Sequence, residues 1–146
     1  MYKPCGLATI TRVRNELKTV LVVDDNANLA QLLTYVLRQC GYQVSAAYCK
    51  ADASRSCDSV RPELALVDLF IGEDSGLETA AEICKRSPDC KVILMSGSAE
   101  AEDVVRRYAV GRTKPELLKK PFSVHDLLQV IQGTPDVLPG TAPNSV

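Results

Sequence analysis

Four polar positions in this chain each follow a short apolar run. They are Asp24-Asp25 after Val20-Leu21-Val22-Val23, Asp68 after Leu64-Ala65-Leu66-Val67, Ser96 after Val92-Ile93-Leu94-Met95, and Lys120-Pro121 after Leu117-Leu118. Three carboxylates, a hydroxyl and an ammonium are a set suited to metal-assisted phosphoryl transfer onto an aspartate. A carboxylate that attacks an anionic phosphoryl group is repelled unless cations neutralise the charge, and hard carboxylate oxygens are what Mg²⁺ prefers. These groups cooperate only if the fold gathers them.

The elements between them predict that it does. Apolar runs bounded by turn signals read as buried strands, here Thr19–Val23, Gln43–Ala47, Leu64–Asp68, Lys91–Met95 and 116–119. Helical faces alternate with them. Leu29, Leu32, Leu33, Val36 and Leu37 repeat at i, i+3, i+4, i+7 and i+8, with Asn26 as N-cap and Gly41 as a left-handed stop. Residues 51–60 read as a Ser- and Asp-rich helix ended by Arg61-Pro62. A loop with two glycines spans Gly72 to Gly76. Further faces comprise Leu77, Ala80, Ala81 and Cys84; Ala101, Val104, Val105 and Tyr108, closed by Gly111; and Val124, Leu127, Leu128 and Ile131.

Strands alternating with helices predict an α/β fold, a doubly wound parallel sheet covered on both faces, with right-handed crossovers. In such a sheet the C-terminal strand ends share one edge, where ligands bind. Residues 1–18 read as an N-terminal leader, 19–132 as the folded domain, and 133–146, with three prolines and two glycines, as a disordered tail.

Bulk composition narrows the function. The 146 residues favour one domain, and 46% hydrophobic content supports a core. Charge is nearly balanced, 17 basic against 18 acidic residues, which gives no support for a nucleic-acid or acidic-membrane surface. No apolar stretch approaches the roughly 20 residues of a membrane span. The six cysteines form no C-x-x-C pair, and with His125 the single histidine, zinc-ligand spacing is absent. No secretory signal is present, so reduced thiols in a cytoplasmic protein are expected. Cys40 and Cys84, among apolar helix positions, are expected to pack as small hydrophobes.

Taken together, Val-Val-Asp24-Asp25, Leu-Val-Asp68, Met-Ser96-Gly97 and Lys120-Pro121-Phe122 resemble response regulator receiver domains of two-component signalling, including stand-alone chemotaxis-type regulators. The resemblance covers residues 19 to 132 and rests on the order and spacing of the motifs. It implies a flavodoxin-like, five-stranded sheet in the order 2-1-3-4-5, and phosphorylation of Asp68 by a histidine kinase or phosphotransfer protein. Asp68 would be the nucleophile. Asp24, Asp25, Asp68 and the backbone carbonyl of Phe70 would hold Mg²⁺. Lys120 would face the phosphoryl oxygens, across a Lys120-Pro121 bond that is cis in the family, and Ser96 would donate its hydroxyl to them. The chain would catalyse only its own phosphotransfer and a slow loss of the phosphoryl group. Its output would be a changed surface for a downstream protein, over about residues 99–132.

Two positions depart from the family pattern. Leu117 stands where a Tyr or Phe usually precedes the lysine by three residues, which puts the usual switch in question; Tyr108 of the fourth helix reads first as a packing residue and second as a substitute for that ring. Phe70, two residues past Asp68, would lie over the cleft mouth and slow attack by water. Lys119 reads as a solvated neighbour of Lys120, and the run Glu100, Glu102, Asp103 followed by Arg106-Arg107 as a solvated helix face. Taken singly, the acid pair could be helix-end charges and Ser96-Gly97-Ser98 a plain turn. His125 reads as a surface residue.

Competing functions are a receiver fold that binds partners without phosphorylation, an aspartyl phosphatase, and a nucleotide-binding flavodoxin-like protein. The phosphatase would need an aspartate at position 70, and the nucleotide binder a Gly- or Ser/Thr-rich loop in place of Asp24-Asp25-Asn26. The run Leu117 to Phe122 also resembles receivers attached to hybrid histidine kinases, whereas Met1 favours a complete small protein.

Overall fold

In the computed structural model, which describes residues 18–108 and 116–132, strands and helices alternate from Thr19 onward. In chain order they are β1 (Thr19–Val23), α1 (Ala27–Gln39), β2 (Gln43–Ala47), α2 (Lys50–Val60), β3 (Leu64–Asp68), β4 (Phe70–Ile71), β5 (Asp74–Ser75), α3 (Gly76–Arg86), β6 (Lys91–Ser96), α4 (Ala101–Tyr108), β7 (Glu116–Lys119) and α5 (Val124–Gln132). The expectations for the leader, for Gly111, for the tail and for the Tyr108 side chain fall outside what is described.

Five strands form one sheet in the order β2-β1-β3-β6-β7, and every pairing in it is parallel. With the short β4-β5 hairpin set aside, this is the expected order 2-1-3-4-5. Side chains alternate across the sheet with period two and so feed two cores. Leu21, Val23, Ala65, Val67 and Leu94 meet Ala53 and Cys57 of α2, Ala80 and Ile83 of α3, and Ala101 and Val105 of α4. Val20, Val22, Leu66, Ile93 and Met95 meet Ala30, Leu33 and Leu37 of α1 and Leu127 and Ile131 of α5. Each large side chain so buried stabilises by roughly 1.5–3 kcal/mol. Central β3 is buried along its whole length, as a strand covered on both faces must be.

Local chemistry sets the helix ends. The Asn26 side chain accepts from the Leu29 N–H, and Gly41 follows α1 at φ +97, a conformation glycine adopts without penalty. Arg61, pushed out of the helical region by Pro62, ends α2 in the left-handed region at φ 53. Ser123 and Asp126 exchange side-chain to backbone hydrogen bonds at the start of α5, a reciprocal cap. At the β2 edge of the sheet, Arg38 Nη2 of α1 donates to the Val44 carbonyl at 3.0 Å.

Several local expectations are corrected. Leu32 is 57% exposed; α1 turns Ala30, Leu33 and Leu37 to the sheet instead, with Leu29 and Val36 partly covered. Cys40 and Cys84 are exposed, because α1 stops before Cys40 and α3 buries Gly76, Thr79, Ala80 and Ile83. Among the described residues the buried thiols are Cys57 and Cys90, and burial raises both, Cys90 to about 12, so neither is a ready thiolate. The stretch Gly72–Gly76 is not one loop. Phe70–Ile71 pairs antiparallel with Asp74–Ser75 around Gly72 at φ +60, and Gly76 opens α3.

Candidate functional site

The four polar sites stand at the C-terminal ends of neighbouring strands. Asp68 and Ser96 are the last residues of β3 and β6, and Asp24 and Lys120 immediately follow β1 and β7. Ladder-like bonds fix their backbones. Asp24 N–H donates to the Ala47 carbonyl at 3.1 Å, Leu69 N–H to Met95 at 2.8 Å, and Lys120 N–H to Ser96 at 2.8 Å. The Lys120-Pro121 peptide bond is cis.

Asp24 is fully buried and has both oxygens engaged. Oδ1 accepts from the Asn26 N–H at 2.9 Å, and Oδ2 accepts from Lys120 Nζ at 3.1 Å. Lys120 Nζ also lies 3.5 Å from Asp68 Oδ1, so one ammonium bridges two carboxylates. Asp25 is exposed. One oxygen from each of Asp24, Asp25 and Asp68 lies within 4.8 Å of the others.

This donor set fits a small hard dication. In an octahedron with 2.0–2.1 Å bonds, neighbouring oxygens sit about 2.9 Å apart and opposite ones about 4.2 Å, within a side-chain adjustment of the spacing here. Three carboxylates against one ammonium leave an excess negative charge that such an ion would relieve. The same crowding shows in Asp68. Burial first, and the Asp24 carboxylate second, push its carboxyl up to about 6, against the lowering pull of Lys120 and of the Phe70 N–H.

Ser96 is buried, one position beyond Met95, the residue paired with Asp68. Its Oγ accepts from the Ser98 N–H at 2.9 Å, which leaves the hydroxyl proton to be donated elsewhere. Ser98 Oγ in turn donates to Glu100 at 2.7 Å. The Phe70 side chain stands 56% exposed on the hairpin that follows Asp68. Leu117 packs from β7 into the core that α4 lines. His125 is exposed on α5.

Sequence reasoning missed three supports. Gly76 has no room for a side chain: a Cβ there would stand 2.1 Å from the Asp68 carbonyl oxygen and 2.5 Å from the Leu69 Cα. Asp24 and Asn26 form an Asx-type turn, legible in Asp-Asp-Asn. Lys119, expected to be merely solvated, pairs with Glu102 of α4 at 3.0 Å. A hollow of about 650 Å³, lined by Cys57, Arg61, Arg86 and Cys90 among others, lies near the starts of β3 and β6, away from this edge.

A doubly wound α/β fold with an acidic, lysine-bridged cleft at its strand ends defines a receiver-type signalling module. The family model described as response regulator receiver domain matches residues 20–132, and the chain belongs to that family. The transcriptional regulatory protein TcrX of Mycobacterium tuberculosis is 27% identical over 110 residues, covering 75% of this chain and 46% of that protein, so the chain spans under half of that relative's length. Among solved structures, a CheY-like receiver domain protein from Methanospirillum hungatei matches with TM-score 0.72 at 26% identity, covering 81% of this chain and 93% of that one. A response regulator from Burkholderia pseudomallei, solved with a phosphorylated aspartic acid, calcium ion and citrate, matches with TM-score 0.68 at 31% identity, covering 83% and 77%. Receiver domains are signalling modules of two-component systems rather than enzymes. Among the described residues no helix is long and apolar enough to cross a membrane.

Proposed function

We propose that this chain receives a phosphoryl group on Asp68 from a histidine kinase or phosphotransfer protein, and signals through a changed protein-binding surface. The observation that carries this reading is the Lys120 ammonium lying 3.1 Å from Asp24 and 3.5 Å from Asp68, beside a carboxylate trio within 4.8 Å.

In the transfer, an Asp68 carboxylate oxygen forms a bond to phosphorus while the nitrogen–phosphorus bond of the donor's phosphohistidine breaks and the imidazole leaves with the electron pair. Lys120 stabilises the charge on the transferring oxygens, and the Ser96 hydroxyl donates to one of them. Asp24, Asp25, Asp68 and the Phe70 carbonyl would hold Mg²⁺, and the charge it supplies would offset that of the phosphoryl group. Asp24, already bonded through both oxygens, would be the least free of the three carboxylates to turn toward such an ion. The Burkholderia relative, with its phosphorylated aspartic acid and calcium ion, supports both the acceptor and the dication. Loss of the phosphoryl group to water is slow, and Phe70 at the mouth retards it.

Intact mass after incubation with Mg²⁺ and acetyl phosphate tests the reading. One added phosphoryl group, absent in Asp68→Asn and in EDTA, is expected. No gain, or a gain that persists in Asp68→Asn, overturns it.

A further inference from the structure

The pairing of Lys119 with Glu102 joins the strand that leads into Lys120 to the helix on the expected output face. Residues alternate across β7. Leu118 points into the core shared with α1 and α5, whereas Leu117 packs into the core that contains Ala101 and Val105 of α4. Lys119 is the strand's last residue, and its Nζ reaches Glu102 Oε2 at 3.0 Å. Its neighbour Lys120 bonds through its backbone to Ser96 and through its ammonium to Asp24 and Asp68.

From this geometry we propose that the Lys119–Glu102 ion pair couples the state of Lys120 to helix α4, as a polar link in a chain where Leu117 replaces the usual aromatic. The inference rests on Asp68 being the phosphoacceptor. A phosphoryl group on Asp68 gives Lys120 a stronger partner than either carboxylate. The adjustment of Lys120 then moves the adjacent Lys119 backbone, and Glu102 carries that shift into the first turn of α4. A second tie runs from Ser96, through Ser98, to Glu100, the residue just before α4. An aliphatic side chain at position 117 has neither ring nor hydroxyl with which to report on Ser96, so the polar contacts carry the coupling. The pair is solvent-exposed, with side chains 62% and 57% accessible. Its contribution is therefore modest, a two- to fivefold shift in the balance of α4 conformations, and screened by salt.

Hydrogen exchange of α4 amides, with and without beryllofluoride and Mg²⁺, tests the link in the whole chain. Uptake is followed separately by the mass gain with acetyl phosphate. In the parent protein α4 exchange is expected to change on activation, and to change less in 0.5 M salt. Glu102→Gln and Lys119→Gln are expected to take up the phosphoryl group normally but show an α4 response reduced by that two- to fivefold contribution. The swap Glu102→Lys with Lys119→Glu is expected to restore it, which separates pairing from a loss of either side chain's bulk. Normal uptake with an undiminished α4 response in both single variants overturns the coupling, as does uptake without any α4 response in the parent. Failure of uptake in the parent overturns the phosphoacceptor reading itself.

Discussion

Asp24 holds the Lys120 ammonium at 3.1 Å across 96 residues of sequence, with its own carboxylate essentially sealed from solvent. The contact ties the end of β1 to the end of β7, on opposite sides of β3 and β6 in the sheet. It also sets the charge of the cleft, since the same ammonium answers to Asp68.

Removing that ammonium leaves a buried carboxylate without its cation. Lys120→Met is expected to cost about 2 kcal/mol in EDTA, below the range for a fully buried pair because Lys120 is partly exposed. Mg²⁺ is expected to recover part of the loss while phosphoryl uptake stays defective. Urea melts in EDTA and in Mg²⁺ measure both, and equal stability to the parent in EDTA contradicts the role given to the pair.

Asp68 should make metal-free stability depend on pH. Its folded carboxyl is raised from 3.8 to about 6, so the folded protein holds a proton more tightly than the unfolded chain. The stability this contributes is fully present below about pH 4 and is lost as pH rises through about 6. Asp68→Asn removes the titration. In EDTA its stability relative to the parent is expected to rise between pH 4 and pH 7, and Mg²⁺ is expected to reverse the advantage by stabilising the parent alone. A stability difference that is flat with pH contradicts the shift.

Gly76→Ala places a methyl group against backbone that side-chain rotation cannot move, 2.1 Å from the Asp68 carbonyl oxygen. The expected cost is about 3 kcal/mol or more. Because the displaced atoms belong to Asp68 and Leu69, Mg²⁺ affinity is expected to fall as well. Chemical denaturation and a Mg²⁺ titration read the two effects.

Phe70 is exposed on the hairpin that follows Asp68, so Phe70→Asn is expected to leave stability within about 0.5 kcal/mol and, if its ring shields the acyl phosphate, to shorten the lifetime of the phosphorylated form. Timing the decay of the added mass after donor removal decides this; an unchanged lifetime removes Phe70 from the account.

The three central strands, β1, β3 and β6, were legible because each is built on a continuous apolar run, and a strand covered on both faces has no polar alternation to blur it. The gathering of Asp24, Asp25, Asp68, Ser96 and Lys120 followed from the parallel sheet, whose strand ends share an edge. What stayed hidden depended on distances between elements. Periodicity placed Leu32 on the buried stripe of α1, but only docking against the sheet decides which part of a wide stripe is covered, and Ala30 takes that place. Gly76 read as a loop residue because the backbone it nearly touches belongs to another segment. Lys119 and Glu102 looked solvated because no local rule pairs residues from a strand and a preceding helix.

The guanidinium that Arg38 lays on the Val44 carbonyl has a consequence for how this chain behaves in company. An outermost strand is a template on which a stranger's strand can assemble. At Val44 the acceptor such a strand would need is already taken from within, so an incoming backbone must evict a charged side chain before it can begin to pair. One flank of the sheet is thereby kept from making a permanent attachment.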